Sequence, residues 1–258
     1  MPDQLVLTGA EAGIGSITLD SPRNRNALSE LLLAQLRQAL ENAIADSSVR
    51  LLLLTHTGTT FCSGADLKEQ ATRFREMGTS PGAGGLVPIL KLLLDSPKPI
   101  LCRVDGAVRG GGMGLVAASD LAVASERSTF AFSEVRVGVA PAVIAVPVLA
   151  KLSRAAALEL FLTGRTFSAE EALAGGLLSR AAAVADLDEV VGELAKELLR
   201  ASPGAQGEAK HLISKVPQLE RDAAFADMVE LSARLFSSPE GQEGMAAFAG
   251  RRPASWTS

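Results

Sequence analysis

Two stretches of this chain place small residues where backbone N–H groups could bind an anion. The first is Phe61-Cys62-Ser63-Gly64-Ala65-Asp66-Leu67, which follows an apolar strand-like run and precedes a helical pattern. A helix start there presents unpaired N–H groups, notably those of Ala65 and Asp66. The second is Asp105-Gly106-Ala107-Val108-Arg109-Gly110-Gly111-Gly112-Met113-Gly114, again between a strand and a helix. Glycines there let a ligand approach the backbone closely. One N–H from each stretch, aimed at one oxygen, would make an oxyanion hole. Taken singly, each stretch fits a tight strand–helix contact as well.

Other motifs are absent. A dinucleotide fingerprint begun at Gly110 and Gly112 needs a small residue where Leu115 stands, and Gly13-Ile14-Gly15 runs into a strand-like ITLD. There is no G-x-S-x-G, H-E-x-x-H or Walker loop. The chain has 2 histidines, His56 and His211, which leaves little for a zinc site or a Ser-His-Asp triad. His56 is expected to complete a strand end, and His211 to lie on an amphipathic helix.

The elements that must position these stretches are read from periodicity. Leu5 to Thr8 and Ile14 to Leu19 predict an opening hairpin. Ser29 is placed to cap a helix with Leu32, Leu36, Leu40, Ala43 and Ile44 on one face, ending near Asp46. The RLLLLTHT run predicts a strand covered on both faces, as in a parallel sheet with helical crossovers. A helix over 65–77, a loop GTSPGAGG, a helix over 86–94, strands over 99–104 and 121–124, and a helix opening at Gly110 continue the strand–helix alternation. From about Ala142 the pattern is almost wholly helical, including a helix in FSAEEALAGGLL stopped by its glycines. Turn residues at Ser202-Pro203-Gly204 divide a core, 1–202, from a helical region, 203–258. The loop over 79–85 reads either as a mobile flap or as a plain surface connection.

At 258 residues, 47% hydrophobic and 21% charged, the chain can bury a large core without disulfide or metal staples. The net charge of -4 and the 10 aromatic residues (9 Phe, 1 Trp, 0 Tyr) argue against nucleic acid or an anionic membrane as the main partner. No apolar run is long enough to span a bilayer, and the N-terminus does not read as a secretory signal. Cys62 and Cys102 suit buried thiols in a reducing cytoplasm.

The ordered pieces ITLDSPRNRNALS, FCSGADL, PKPILCRVDGAVRGGGMGL with SDLAVAS, FAFSEVRVGVAP, LTGRTFSAEEALAGGLL and EGMAAFAGRRPASW resemble the enoyl-CoA hydratase/isomerase (crotonase) superfamily over nearly the whole chain. The resemblance implies an α/β spiral of repeated β-β-α turns with a C-terminal helical region that builds a trimer, often paired as a dimer of trimers. It implies an acyl-CoA thioester substrate, with coenzyme A entering as part of that substrate and no separate cofactor. Ala65 and Gly111 then supply the oxyanion N–H groups. Arg23 to Asn26 and the carbonyls of Ser63, Gly64 and Ala65 cradle the adenine end, with Asp66, Leu67, Gly110 and Pro141 near the bound thioester. Arg251 and Arg252 are candidates for the coenzyme's phosphates.

The family's hydratases use two glutamates. The second matches Glu134, whereas the first falls on Gly114. A lone glutamate serves as acid and base in turn if an apolar pocket, such as Val135, Val137 and Val139 suggest, raises its pKa. The competing reading pairs Glu134 with Arg136 at the surface. A glycine at 114 together with SEVRVGVAPAVI resembles the branch handling branched or carboxylated enoyl-CoAs such as methylglutaconyl-CoA. Arg109 would then meet a substrate carboxylate, or pair on the surface. The expected activity is enoyl-CoA hydration, with double-bond isomerisation second and acyl-CoA binding without turnover third.

Overall fold

The computed structural model describes residues 3–78 and 83–257. The chain opens with the hairpin β1 (Val6–Glu11) and β2 (Ile14–Leu19), followed by α1 (Glu30–Ala45). Ser29 caps α1 by accepting the Leu32 N–H, and Leu32, Leu36 and Leu40 are buried, as the periodicity predicts. Then come β3 (Leu51–His56), β4 (Thr60–Cys62), α2 (Leu67–Met77) and α3 (Val87–Asp95). The next turn is β5 (Ile100–Val104), β6 (Ala107–Arg109) and α4 (Gly111–Ala118). A third turn is β7 (Leu121–Ser125), β8 (Thr129–Ala131) and α5 (Ala142–Leu149). Each of these turns lays its first strand in one sheet and its second strand in another.

The larger sheet has the order β1-β2-β3-β5-β7-β10, and the smaller has β4-β6-β8-β9. The chain continues through α6 (Arg154–Thr163), β9 (Phe167–Ser168), α7 (Ala169–Ala174), β10 (Arg180–Ala182) and α8 (Leu187–Arg200). It ends with α9 (Pro203–Lys215), α10 (Arg221–Ser237) and α11 (Pro239–Ala249). The almost purely helical reading beyond Ala142 is therefore corrected: β9 closes the small sheet against β8, and β10 extends the large one beside β7. These strands are too short to show a period of two, and their partners lie far away in sequence.

β3, β5 and β7 are covered on both faces, as the continuous apolar run predicts. One face joins the main core, with Leu52, Leu54, Cys102 and Val104, and the other packs Leu51, Leu101 and Val123 against Leu187, Val191 and Ala195 of α8. Both cysteines are free and buried, and burial pushes their thiols up to about 12. In the proposed flap, residues 79–82 lie outside the described residues, and Gly84–Leu86 forms a 3-10 turn. No helix among the described residues is long and apolar enough to cross a membrane.

Candidate active site

β4, β6 and β8 are parallel neighbours, with Cys62 beside Val108 and Arg109 beside Ala131. Parallel strands release their chains at the same edge, so the segments beginning at Ser63, Gly110 and Phe132 converge there. This is the end of a parallel sheet at which ligands bind in α/β folds. Gly64 and Gly110 touch through their backbones. A Cβ built on Gly110 would lie 3.2 Å from Gly64 Cα, and both residues have positive φ, +92° and +51°. Side chains would force the two segments apart.

Several N–H groups around this contact are committed. Ser63 N–H donates to Arg25 O at 3.1 Å, and Gly64 N–H to Cys62 Sγ at 3.4 Å. The Asp66 carboxylate caps α2 by accepting from the N–H groups of Lys68 and Glu69. In the other segment Met113 N–H donates to Gly110 O at 2.9 Å. Among the described residues, no hydrogen bond takes up the Gly111 N–H, at the first position of α4, or the Ala65 N–H. The Ala65 direction follows from the trans peptide. Gly64 O accepts the Leu28 N–H at 2.8 Å, so the N–H across the same peptide plane points away from Leu28. Gly111 is glycine for a packing reason, since a Cβ there would stand 2.4 Å from Leu28 Cδ1 and 3.1 Å from Leu86 Cδ2.

Glu134 sits on the 3-10 turn Ser133–Val137 that follows β8. It is half-buried, and its Oε2 has no hydrogen-bond partner. Its Oε1 would lie 3.7 Å from a Cβ on Gly110, which brings the carboxylate to the glycine contact. The surface-pair reading fails, because Arg136 Nε donates instead to Thr163 O and Glu134 joins no ion pair among the described residues. Burial pushes the Glu134 carboxyl above the usual carboxylate range. The valines expected to create that environment do not do so: Val137 and Val139 are 71% and 56% exposed, and Val135 packs toward Gly164.

Gly114 is buried one turn into α4, where a Cβ would lie 2.6 Å from Ile144 Cγ2 and 3.4 Å from Leu90 Cδ2. The position where the resemblance would put a first glutamate is walled by apolar side chains. Pro141, at the N-terminus of α5, is buried beside this wall in sequence.

Other expectations are redrawn. Asn26 does not offer its side chain to a ligand. It is fully buried, accepts from Ser21 N–H at 2.7 Å and donates to Thr57 O and Thr60 O at 3.2 and 2.8 Å. It braces the loop that carries the exposed Arg23 and Arg25, whose backbone Ser63 joins through its N–H to Arg25 O. The Arg109 guanidinium pairs with its neighbours, donating to Val108 O, Thr129 O and Thr129 Oγ1. Thr129 begins β8, away from the strand end where Glu134 lies. Arg252 forms a bidentate pair with Glu243 at 2.7 Å on both arms, while Arg251 is exposed. Leu67 is 71% exposed at the start of α2. His56 does complete its strand, accepting the Asp105 N–H on Nε2 at 3.0 Å. Sequence reasoning missed Leu28, Leu86, Leu90 and Ile144, whose apolar type signals burial without saying what they face.

The family model for enoyl-CoA hydratase/isomerase matches residues 9–258. The chain belongs to that family. It is similar to enoyl-CoA hydratase domain-containing protein 3, mitochondrial, of Danio rerio, with 31% identity over 98% of this chain and 88% of that protein. Among solved structures it overlays an enoyl-CoA hydratase from Shewanella pealeana with a TM-score of 0.92 at 31% identity, covering 98% of this chain and 96% of the other. An enoyl-CoA hydratase from Mycobacterium avium is 41% identical, with a TM-score of 0.74 over 99% of this chain and all of the other. The crotonase fold, with its β-β-α turns, is thus common to this enoyl-CoA hydratase/isomerase family member and its structural relatives.

Proposed function

We propose that this chain acts on an enoyl-CoA thioester, holding the thioester oxygen between the N–H groups of Ala65 and Gly111 while Glu134 alone moves the proton at the adjacent carbon. The observation that carries the reading is the Glu134 carboxylate beside the Gly64–Gly110 contact, with its buried Oε2 unpartnered. As water, giving a proton to Glu134, adds to the β-carbon, or as Glu134 removes the α-proton in a double-bond shift, charge moves onto the thioester oxygen; Glu134 then returns the proton to the α-carbon or to the γ-carbon. Each preorganised donor then lowers the barrier by roughly 2.7–4 kcal/mol. The raised pKa of Glu134 suits it to take a proton and return it. Arg23 and Arg25, exposed on the loop that Asn26 braces, would meet the coenzyme's phosphates.

Hydratase-type chemistry is the first reading, with Glu134 directing water and proton in turn. A double-bond shift is the second, and the Ile144–Leu90 wall over Gly114 favours it, because moving a proton between two carbons of one chain needs a single base and no bound water. The Arg109 contacts with β8 argue for an acyl chain without a carboxylate, plain or branched, over methylglutaconyl-CoA. The deciding experiment is turnover of crotonyl-, 3-hexenoyl- and 3-methylglutaconyl-CoA by wild type and Glu134→Gln, followed at the conjugated-thioester absorbance. Loss of crotonyl-CoA absorbance that disappears in the variant supports hydration. Gain of absorbance from the 3-enoyl substrate alone supports isomerisation. Binding without turnover of any of the three would sink both readings.

A further inference from the structure

The far end of α4 carries an unusual cation. α4 is two turns long, and every residue from Gly112 to Ala118 is buried. At its C-terminus Ser119 returns both its N–H and its hydroxyl to Leu115 O, at 3.2 and 2.9 Å. The next carbonyls, those of Ser119 and Asp120, both accept from Lys151 Nζ. Lys151 has no carboxylate within ion-pair distance among the described residues. The nearby Asp120 carboxylate is occupied by Ile100 N–H at 2.8 Å and Lys210 Nζ at 2.9 Å, and Lys210 also donates to Leu93 O near the end of α3.

A half-buried ammonium is costly to desolvate unless something charged or strongly polar answers it. Here the answer is two carbonyls just past the last turn of α4, beside the negative end of its dipole. The same helix starts at Gly111. Two turns span only ~12 Å, and the path between the ends runs through apolar interior that screens weakly.

We infer that Lys151 is a positioning residue for α4, fixing the helix from its C-terminal end and polarising it so that the Gly111 N–H meets the thioester oxygen. The inference rests on the oxyanion reading given above. Lys151 is itself seated by the chain: its N–H donates to Val148 O at 3.0 Å, and its carbonyl lies 2.6 Å from where a Cβ on Gly176 would stand, a residue with φ of +93°. The ammonium therefore reaches α4 from a fixed base rather than from a free surface arm.

The test compares wild type with Lys151→Met, Lys151→Arg and Lys151→Gln. The probe is an aryl-enoyl-CoA bearing a para electron donor, whose absorption moves to the red when its carbonyl oxygen is polarised. With it are measured kcat, KM and Tm. Methionine fills the space without charge, arginine keeps the charge, and glutamine keeps a donor without charge, so glutamine replaces methionine in the comparison if the latter fails to fold. Loss of the charge is expected to reduce the red shift and lower kcat about fivefold, the ~1 kcal/mol of a charge at a helix end, with KM within about twofold. Lys151→Arg should keep most of both. A folded neutral variant with the wild-type red shift and kcat, or one that loses only Tm, would overturn the inference. A wild type whose probe shows no red shift on binding would remove the oxyanion reading itself, and the role of Lys151 with it.

Discussion

Glu134 and Gly110 meet across the exits of two neighbouring parallel strands: the carboxylate Oε1 lies 3.7 Å from where a Cβ on the glycine would stand. That spacing leaves room for a reacting carbon between the carboxylate and the backbone donors only while position 110 lacks a side chain. Gly110→Ala should therefore act twice, by straining a residue at φ +51° and by pushing Gly64 from 3.2 Å contact. The expected result is a kcat reduced about 10²–10³-fold, the effect of misplacing one oxyanion donor. Steady-state kinetics on the preferred enoyl-CoA would check it, and a variant within threefold of wild type would speak against the two-segment donor pair.

Glu134→Gln separates chemistry from stability. Turnover should vanish while acyl-CoA binding survives. For stability, burial raises the folded-state pKa above that of an ordinary glutamate, so the native protein holds the proton more tightly than the unfolded chain. The associated stability is present in full below the unfolded pKa and is lost as the pH rises through the folded pKa. At neutral pH the wild type thus bears a half-buried carboxylate whose Oε2 is unpartnered, a charge that glutamine does not carry. Thermal melts at pH 7 should show Glu134→Gln above wild type, by about 2–4 °C for each kcal/mol recovered, and the gap should close in acid. For kcat/KM the base form is needed, so its rising limb should sit above the usual carboxylate range.

Asn26 offers a test of positioning at the coenzyme end. Removing its amide in Asn26→Ala leaves Ser21 N–H, Thr57 O and Thr60 O without their partner in a buried site. Loss of at least ~2 kcal/mol is expected, read as a fall in Tm. A raised KM for acyl-CoA should accompany it, because the loop carrying Arg23 and Arg25 loses its brace. An intact Tm would show that the bracket is dispensable.

The extent to which the site was legible differs residue by residue. The opening hairpin, α1 with its Ser29 cap and the doubly covered β3 follow directly from local periodicity. The small sheet does not, because β4, β6 and β8 are three residues each and are defined by partners in other turns of the spiral. Yet those strands bring Ala65, Gly111 and Glu134 to one edge, so the sequence supplied the residues through motifs and not their meeting place. Asn26 and Arg109 show what a motif leaves open. Polar residues inside a motif invite a ligand role, whereas both satisfy backbone groups of the protein. Ile144 gave no signal at all, since only packing shows that it stands against Gly114.

That packing makes the strongest demand on the one-glutamate reading. Gly114→Glu alone must drive its side chain into Ile144 Cγ2, 2.6 Å from the Cβ, and Leu90 Cδ2. Overpacking of this kind costs about 1–3 kcal/mol or more, with a buried carboxylate adding to it, so the single variant should melt lower and turn over less. Gly114→Glu combined with Ile144→Ala opens space for the second carboxylate. If the missing glutamate is what limits hydration, the double variant should gain crotonyl-CoA hydration over Gly114→Glu while its 3-enoyl isomerisation does not rise in step. Equal hydration by the double and single variants, with both folded by circular dichroism, would mean that the Ile144 wall does not decide the reaction and that Glu134 handles water unaided.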